Sequence, residues 1–204
     1  MRLRRALIGL LAAVTLTAGL GASPAGAQEG EPTLADILAA QGGGTDRNWY
    51  DYDILAAGVD AAGLTAALDD PSAELTVFIP NDRAFQALVA DLYGWQYWFA
   101  GEDTILNKLV ELEGSAPGTL QTVILYHAVQ GEITSDVALA NRRGTELTTL
   151  QGGTITVKPA WKTAFIVDQD RNDLNPWLVR SQLDIQASNG VAHGISLVLR
   201  PSNL

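Results

Sequence analysis

Few side chains in this sequence are equipped for chemistry. Among 204 residues there are two histidines, His127 and His193, and no cysteine. A zinc site takes three or four nitrogen, sulfur or carboxylate ligands, so two histidines without a thiol would need carboxylates to complete it. Nucleophilic catalysis has no better footing. The chain has no thiol, no Gly-x-Ser-x-Gly turn to present a strained serine, and neither a Gly-x-Gly-x-x-Gly nor a phosphate loop. The segment Asp168-Gln169-Asp170-Arg171-Asn172-Asp173 sets oxygen ligands at alternate positions, as a calcium loop does at its start. Asp173 stands where the turn glycine belongs and Val179 where the bidentate glutamate belongs, so a solvated turn is expected. The sequence thus leads us to expect no catalytic residue, no metal ligand and no cofactor.

The elements that hold the histidines give them a structural role. His127 shares a helical face with Leu120, Val123 and Ile124, and His193 shares a strand face with Val191, Ile195, Leu197 and Leu199. A histidine on an apolar face is most simply a buried ring whose nitrogens are hydrogen-bonded. Upstream, Thr33 precedes a helix with Leu34, Ile37 and Leu38 as its stripe, and Asp36 sits in its first turn where the helix dipole favours an anion. Two more helical patterns pass through Ile54, Leu55 and Val59, then Leu64 and Leu68. Leu75 to Ile79 is a β-branched apolar run suited to a strand buried on both faces. Asn81 caps a helix with Phe85, Leu88, Val89 and Leu92 on one side. Further helices are predicted over 104–112 and from Thr119. Beyond Thr145 the period becomes alternating, with strands at 147–150 and 154–157 around Gln151-Gly152-Gly153. A last hairpin, 184–188 with 191–199, turns at Asn189-Gly190, which is read as a type I′ turn.

Three segments in this order resemble the fasciclin domain family. Thr76-Val77-Phe78-Ile79-Pro80-Asn81-Asp82-Arg83-Ala84-Phe85 is similar to the family's first box. Leu125-Tyr126-His127-Ala128-Val129 is similar to its central tyrosine-histidine motif, and the run from Ala187 through Asn189-Gly190-Val191-Ala192-His193 to Pro201 to its second box. Gly194 stands where a larger aliphatic residue is common. The resemblance spans roughly Thr33 to Pro201. It implies an α+β fold, a fasciclin-like wedge of two β-sheets flanked by several helices, in which Tyr126 and both histidines serve packing and the polar network.

What the resemblance implies functionally is an adhesion or interaction module, not an enzyme, binding a protein or polysaccharide at a cell surface or matrix. Some animal members adhere through an Asp-Ile pair before the second box and through the tyrosine-histidine region; Asp184, Ile185, Tyr126 and His127 occupy those positions here. Ile185 is expected to pack inward and Asp184 to face water. Two stretches, near 92–117 and 159–183, are longer than the family pattern. The five tryptophans, Trp49, Trp95, Trp98, Trp161 and Trp177, lie outside the three boxes. Those of the long stretches, Trp95, Trp98, Trp161 and Trp177, either build a satellite core or form an exposed aromatic patch for a partner. A carrier enclosing an apolar ligand, such as a lipid or pigment, is the alternative function.

Composition sets the remaining bounds. Residues 1–27 read as a signal peptide: Arg2, Arg4 and Arg5, an apolar stretch from Ala6 to Leu20, and Ala25-Gly26-Ala27 at the cleavage position. That stretch is short for a membrane span, so export without stable membrane insertion is expected, to the outside of the cell or the periplasm. Residues 28–32 form a linker and 33–204 a single domain. The full chain carries a formal charge of −10, and the exported part is more acidic still. Such a surface repels phosphate backbones, which argues against nucleic acid.

Overall fold

The computed structural model describes residues 30–42, 44–161 and 163–202. The expected signal peptide, with its cleavage position, lies outside these. Among the described residues no helix is long and apolar enough to cross a membrane.

Two sheets organise the molecule. Strands β1 (Leu75–Pro80), β2 (Ala128–Gln130), β6 (Ile185–Ala187) and β7 (Gly190–Ile195) form the first, in the order β2-β1-β7-β6. β1 and β7 run parallel while the outer pairs are antiparallel. The second sheet is the antiparallel series β3 (Thr145–Thr148), β4 (Thr154–Ala160) and β5 (Thr163–Val167). Isolated bridges at Val129–Thr149 and Leu178–Ile195 tie the two together. This is the α+β architecture expected, with helices α1 (Leu34–Gln41), α2 (Asp53–Ala61), α3 (Thr65–Asp69), α4 (Asp82–Tyr93), α5 (Glu102–Ser115), α6 (Thr119–Tyr126) and α7 (Ser135–Leu139) around the sheets.

β1 explains why there are two cores. All six of its residues are buried, and the pleat sends alternate side chains to opposite faces. Val77 and Ile79 pack with Leu38, Ile54, Phe85 and Ile105 from the helices. Phe78 points the other way, joining Ile155, Val157, Ile166 and Ile195 between the sheets. β7 is likewise buried along its whole length rather than on one face, because β1 lies parallel beside it and both layers cover it. The expected caps form: Thr33 makes a reciprocal capping box with Asp36, and Asn81 accepts from the Ala84 amide at 3.1 Å.

The last hairpin differs from the sequence reading. Ala187 pairs with Gly190, so the loop residues are Ser188 and Asn189; neither has positive φ, which excludes a type I′ turn. Gly190 is required for another reason. Its φ is 149° and a Cβ there would fall 2.0 Å from the Leu75 carbonyl oxygen, so β1 leaves no room for a side chain. Asn189 is freed from the turn to reach sideways. It is 3% exposed; its Oδ1 accepts from Leu34 N at 2.9 Å, and its Nδ2 donates to Leu68 O at 2.8 Å and Asp70 O at 2.9 Å.

Candidate functional site

Both imidazoles are interior and both are spent on the backbone. At the end of α6, Nδ1 of His127 donates to Val123 O at 2.7 Å and Nε2 accepts from Leu199 N at 2.8 Å. A ring facing a carbonyl on one side and an amide on the other holds a single proton, here on Nδ1. His193 is in the opposite tautomer: Nδ1 accepts from Asp184 N at 3.2 Å and Nε2 donates to Ile133 O at 2.9 Å. Full burial drives the His127 pKa down to about 4, outweighing the Val123 carbonyl, which favours the cation. The neutral ring therefore supports the fold above about pH 6.5, and that contribution is lost as the pH falls through 4.

Tyr126, wholly buried, donates to Thr154 O at 2.7 Å and accepts from Gln169 N at 3.1 Å. Burial pushes its phenol to about 12. Tyr126 and His127 thus present no surface to a partner in this structure. Asp184 does not simply face water, as expected from strand alternation, because it adopts φ 54° and turns its carboxylate onto α7. Its oxygens accept from Ser135 N at 2.7 Å and Ser135 Oγ at 2.5 Å. Although burial opposes it, these bonds hold Asp184 below the usual carboxylate range, with His193 adding to the effect. Ile185 packs against the helical core as expected.

The exposed features lie elsewhere. After α4 a short 3₁₀ turn, Trp95–Phe99, carries Trp95, Trp98 and Phe99 at 73%, 41% and 82% exposure. Trp95 and Phe99 meet edge to face, and the Arg83 guanidinium lies 4.9 Å from the Trp98 ring centre. Trp95, Trp98 and Leu174 line a cavity of about 340 Å³ whose floor holds Arg200 and Asp173. Trp161 is set apart, 99% exposed at the tip of the β4–β5 turn beside a groove shared with Arg142 and Arg180. Trp177 leans on Phe165, ring centres 5.6 Å apart. All four tryptophans are more than 40% exposed, so a buried satellite core is not what they build. Trp49 alone packs on the helical core.

Arg200 takes the place that a cation would have in the Asp168–Asp173 loop. Its Nη1 lies 3.0 Å from Asp91 and 3.6 Å from Asp170, and it also pairs with Asp173. Its amide donates to Asp168 Oδ2 at 2.9 Å. Burial pushes the Asp168 carboxyl up to about 6 in spite of that bond. Sequence periodicity carried no sign of this network, since Arg200 is contributed from more than 25 residues away by the end of the second box.

The sequence model of the fasciclin domain matches residues 51–201. The chain belongs to the fasciclin domain family. Its fold is similar to that of the FAS1 domain pair from the insect cell adhesion molecule fasciclin I, with a TM-score of 0.59 at 15% identity. That likeness covers 83% of this chain and 51% of the other, so the chain spans about half the length of the domain pair. In this fasciclin domain α1 lies ahead of the matched residues yet supplies Leu34 and Leu38 to the core. Gly194, where the family pattern has a larger residue, makes room for Gln182, whose Cβ a methyl there would approach to 2.7 Å. An apolar cavity of about 330 Å³ lies between α1, α2 and the first sheet, lined by Leu34, Leu38, Tyr52, Val59, Val77 and Ile185.

Proposed function

We propose that this fasciclin domain is an extracellular adhesion module that binds a protein or polysaccharide partner through the Trp95–Trp98–Leu174 groove, without catalysis. The observation that carries the proposal is the exposure of Trp95, Phe99 and Leu174, each above 70%, around one cavity or its rim. Contiguous apolar surface of this kind mark an interaction site, and indole faces suit sugar rings as well as apolar side chains. The two imidazoles are fully engaged with backbone, so neither is free to act as a general base.

In the test, protein immobilised on beads captures its partner from the cell-envelope fraction of its own source. Trp95→Ala with Trp98→Ala is expected to weaken capture at least ten-fold with the far-UV spectrum unchanged, whereas Trp161→Ala is expected to leave it intact. Full capture by the double variant would remove the groove from consideration. The apolar cavity under α1 favours a second reading, carriage of a lipid or pigment, since its volume suits a small ligand. A co-purified apolar compound in native mass spectra would support carriage.

A further inference from the structure

Five carboxylates converge where three helices begin. Asp53, Asp82 and Glu102 are the first residues of α2, α4 and α5, and they are 5%, 0% and 1% exposed. The strap ahead of α2 adds Asp46 and Asp51. It is fastened to α4 by bonds from Asp82 N to Asp51 O at 3.1 Å and from Arg83 N to Trp49 O at 3.0 Å. Asp46, Asp53 and Glu102 each bring a carboxylate oxygen within 4.8 Å of the others, and so do Asp51, Asp53 and Asp82. The two triads share Asp53.

Asp82 and Glu102 each give one oxygen to a backbone amide. Asp82 Oδ1 accepts from Ile54 N at 3.0 Å and Glu102 Oε2 from Asp46 N at 2.5 Å. Glu102 Oε1 is buried and accepts no hydrogen bond among the described residues, while the carboxyl groups of Asp82 and Asp51 lie within hydrogen-bonding reach of each other. No described lysine or arginine forms an ion pair with Asp46, Asp51, Asp82 or Glu102. The positive ends of three helix dipoles soften this concentration of charge, but they put no donor on the open Glu102 oxygen, and buried acceptors rarely go unmet.

We propose that this junction is a binding site for a calcium-class divalent cation, held by Asp46, Asp53 and Glu102, with Asp51 and Asp82 grouped beside Asp53. The donors are all hard carboxylate oxygens, without imidazole or thiolate, which suits calcium rather than zinc or copper. Ligand oxygens around calcium lie 2.3–2.6 Å from the ion, so the 4.8 Å limit on separations within the Asp46–Asp53–Glu102 triad fits one coordination sphere. The ion fastens the strap to the starts of α2 and α5, and exposed Asp46 stands at its entrance.

The test uses the full chain stripped with EDTA and titrated calorimetrically with calcium chloride, alongside melting curves in EDTA and in 1 mM calcium. Saturable heat and a melting temperature raised by several degrees are expected. Asp46→Asn, which alters an exposed side chain, and the near-isosteric Glu102→Gln should each weaken the affinity at least ten-fold while melting cooperatively in EDTA. Absence of heat at millimolar calcium with equal melting temperatures in the two buffers overturns the proposal. Undiminished binding by both variants overturns it too.

Discussion

Replacing Arg200 by methionine is expected to destabilise the domain by about 4 kcal/mol, because one guanidinium answers several carboxylates at once. Its side chain is 11% exposed and that of Asp170 only 1%, so neither water nor salt readily takes its place. Deleting one member of a buried ion cluster costs about 3–5 kcal/mol, chiefly from the charges left behind. Methionine keeps much of the volume, which separates this loss from a cavity effect. Arg200→Lys is expected to recover part of the stability, since an ammonium retains the charge but not the planar fork. Urea unfolding of the three proteins at pH 7 and at pH 3 is the check. At pH 3 carboxylates protonate and the methionine penalty should shrink. A loss unchanged between the two pH values would mean that packing, not charge, is what Arg200 supplies.

The second large effect is expected at Asn189. Asn189→Ala removes one acceptor and two donors, and so leaves Leu34 N, Leu68 O and Asp70 O without their partner. Each orphaned backbone group costs about 1–3 kcal/mol according to its burial, and a total of about 3 kcal/mol is expected. Asp is the informative comparison: it keeps the acceptor for Leu34 but sets a carboxylate against the two carbonyls, so Asn189→Asp should be no better than Ala. The loss should be accompanied by faster amide exchange in α1, whose first amide depends on Oδ1. Protection in α1 equal to that of the unmodified protein would show that the helix is held by Leu34 and Leu38 alone.

The histidines were the most legible feature of the candidate site, because an apolar helical or strand face says where a ring must go. What such a face cannot say is which nitrogen meets which backbone group, as the partners of His127 and His193 come from other elements. The strand Leu75–Pro80 and the caps at Thr33 and Asn81 depend on neighbouring residues and were readable for that reason. β2, β5 and α7 were not, being short pieces that exist through pairing or packing with distant partners. Asn189-Gly190 misled in an instructive way. The dipeptide tolerates a tight turn, but here β1 lies against Gly190 and three backbone groups draw the Asn189 side chain, so tertiary contact rather than turn chemistry selects both. The carboxylates at the starts of α2, α4 and α5 are ordinary first-turn residues in sequence, and only folding brings them together.

The fasciclin domain's imidazoles are fixed struts of the interior, and the proposed recognition groove lies apart from them. Long-range ¹H–¹⁵N correlation spectra of the side chains across a pH titration address this directly. His127 should carry its proton on Nδ1 and His193 on Nε2, and the His127 ring should stay neutral until the pH nears 4. Either ring in the other tautomer, or a His127 titrating at its ordinary value near 6.5, would contradict it.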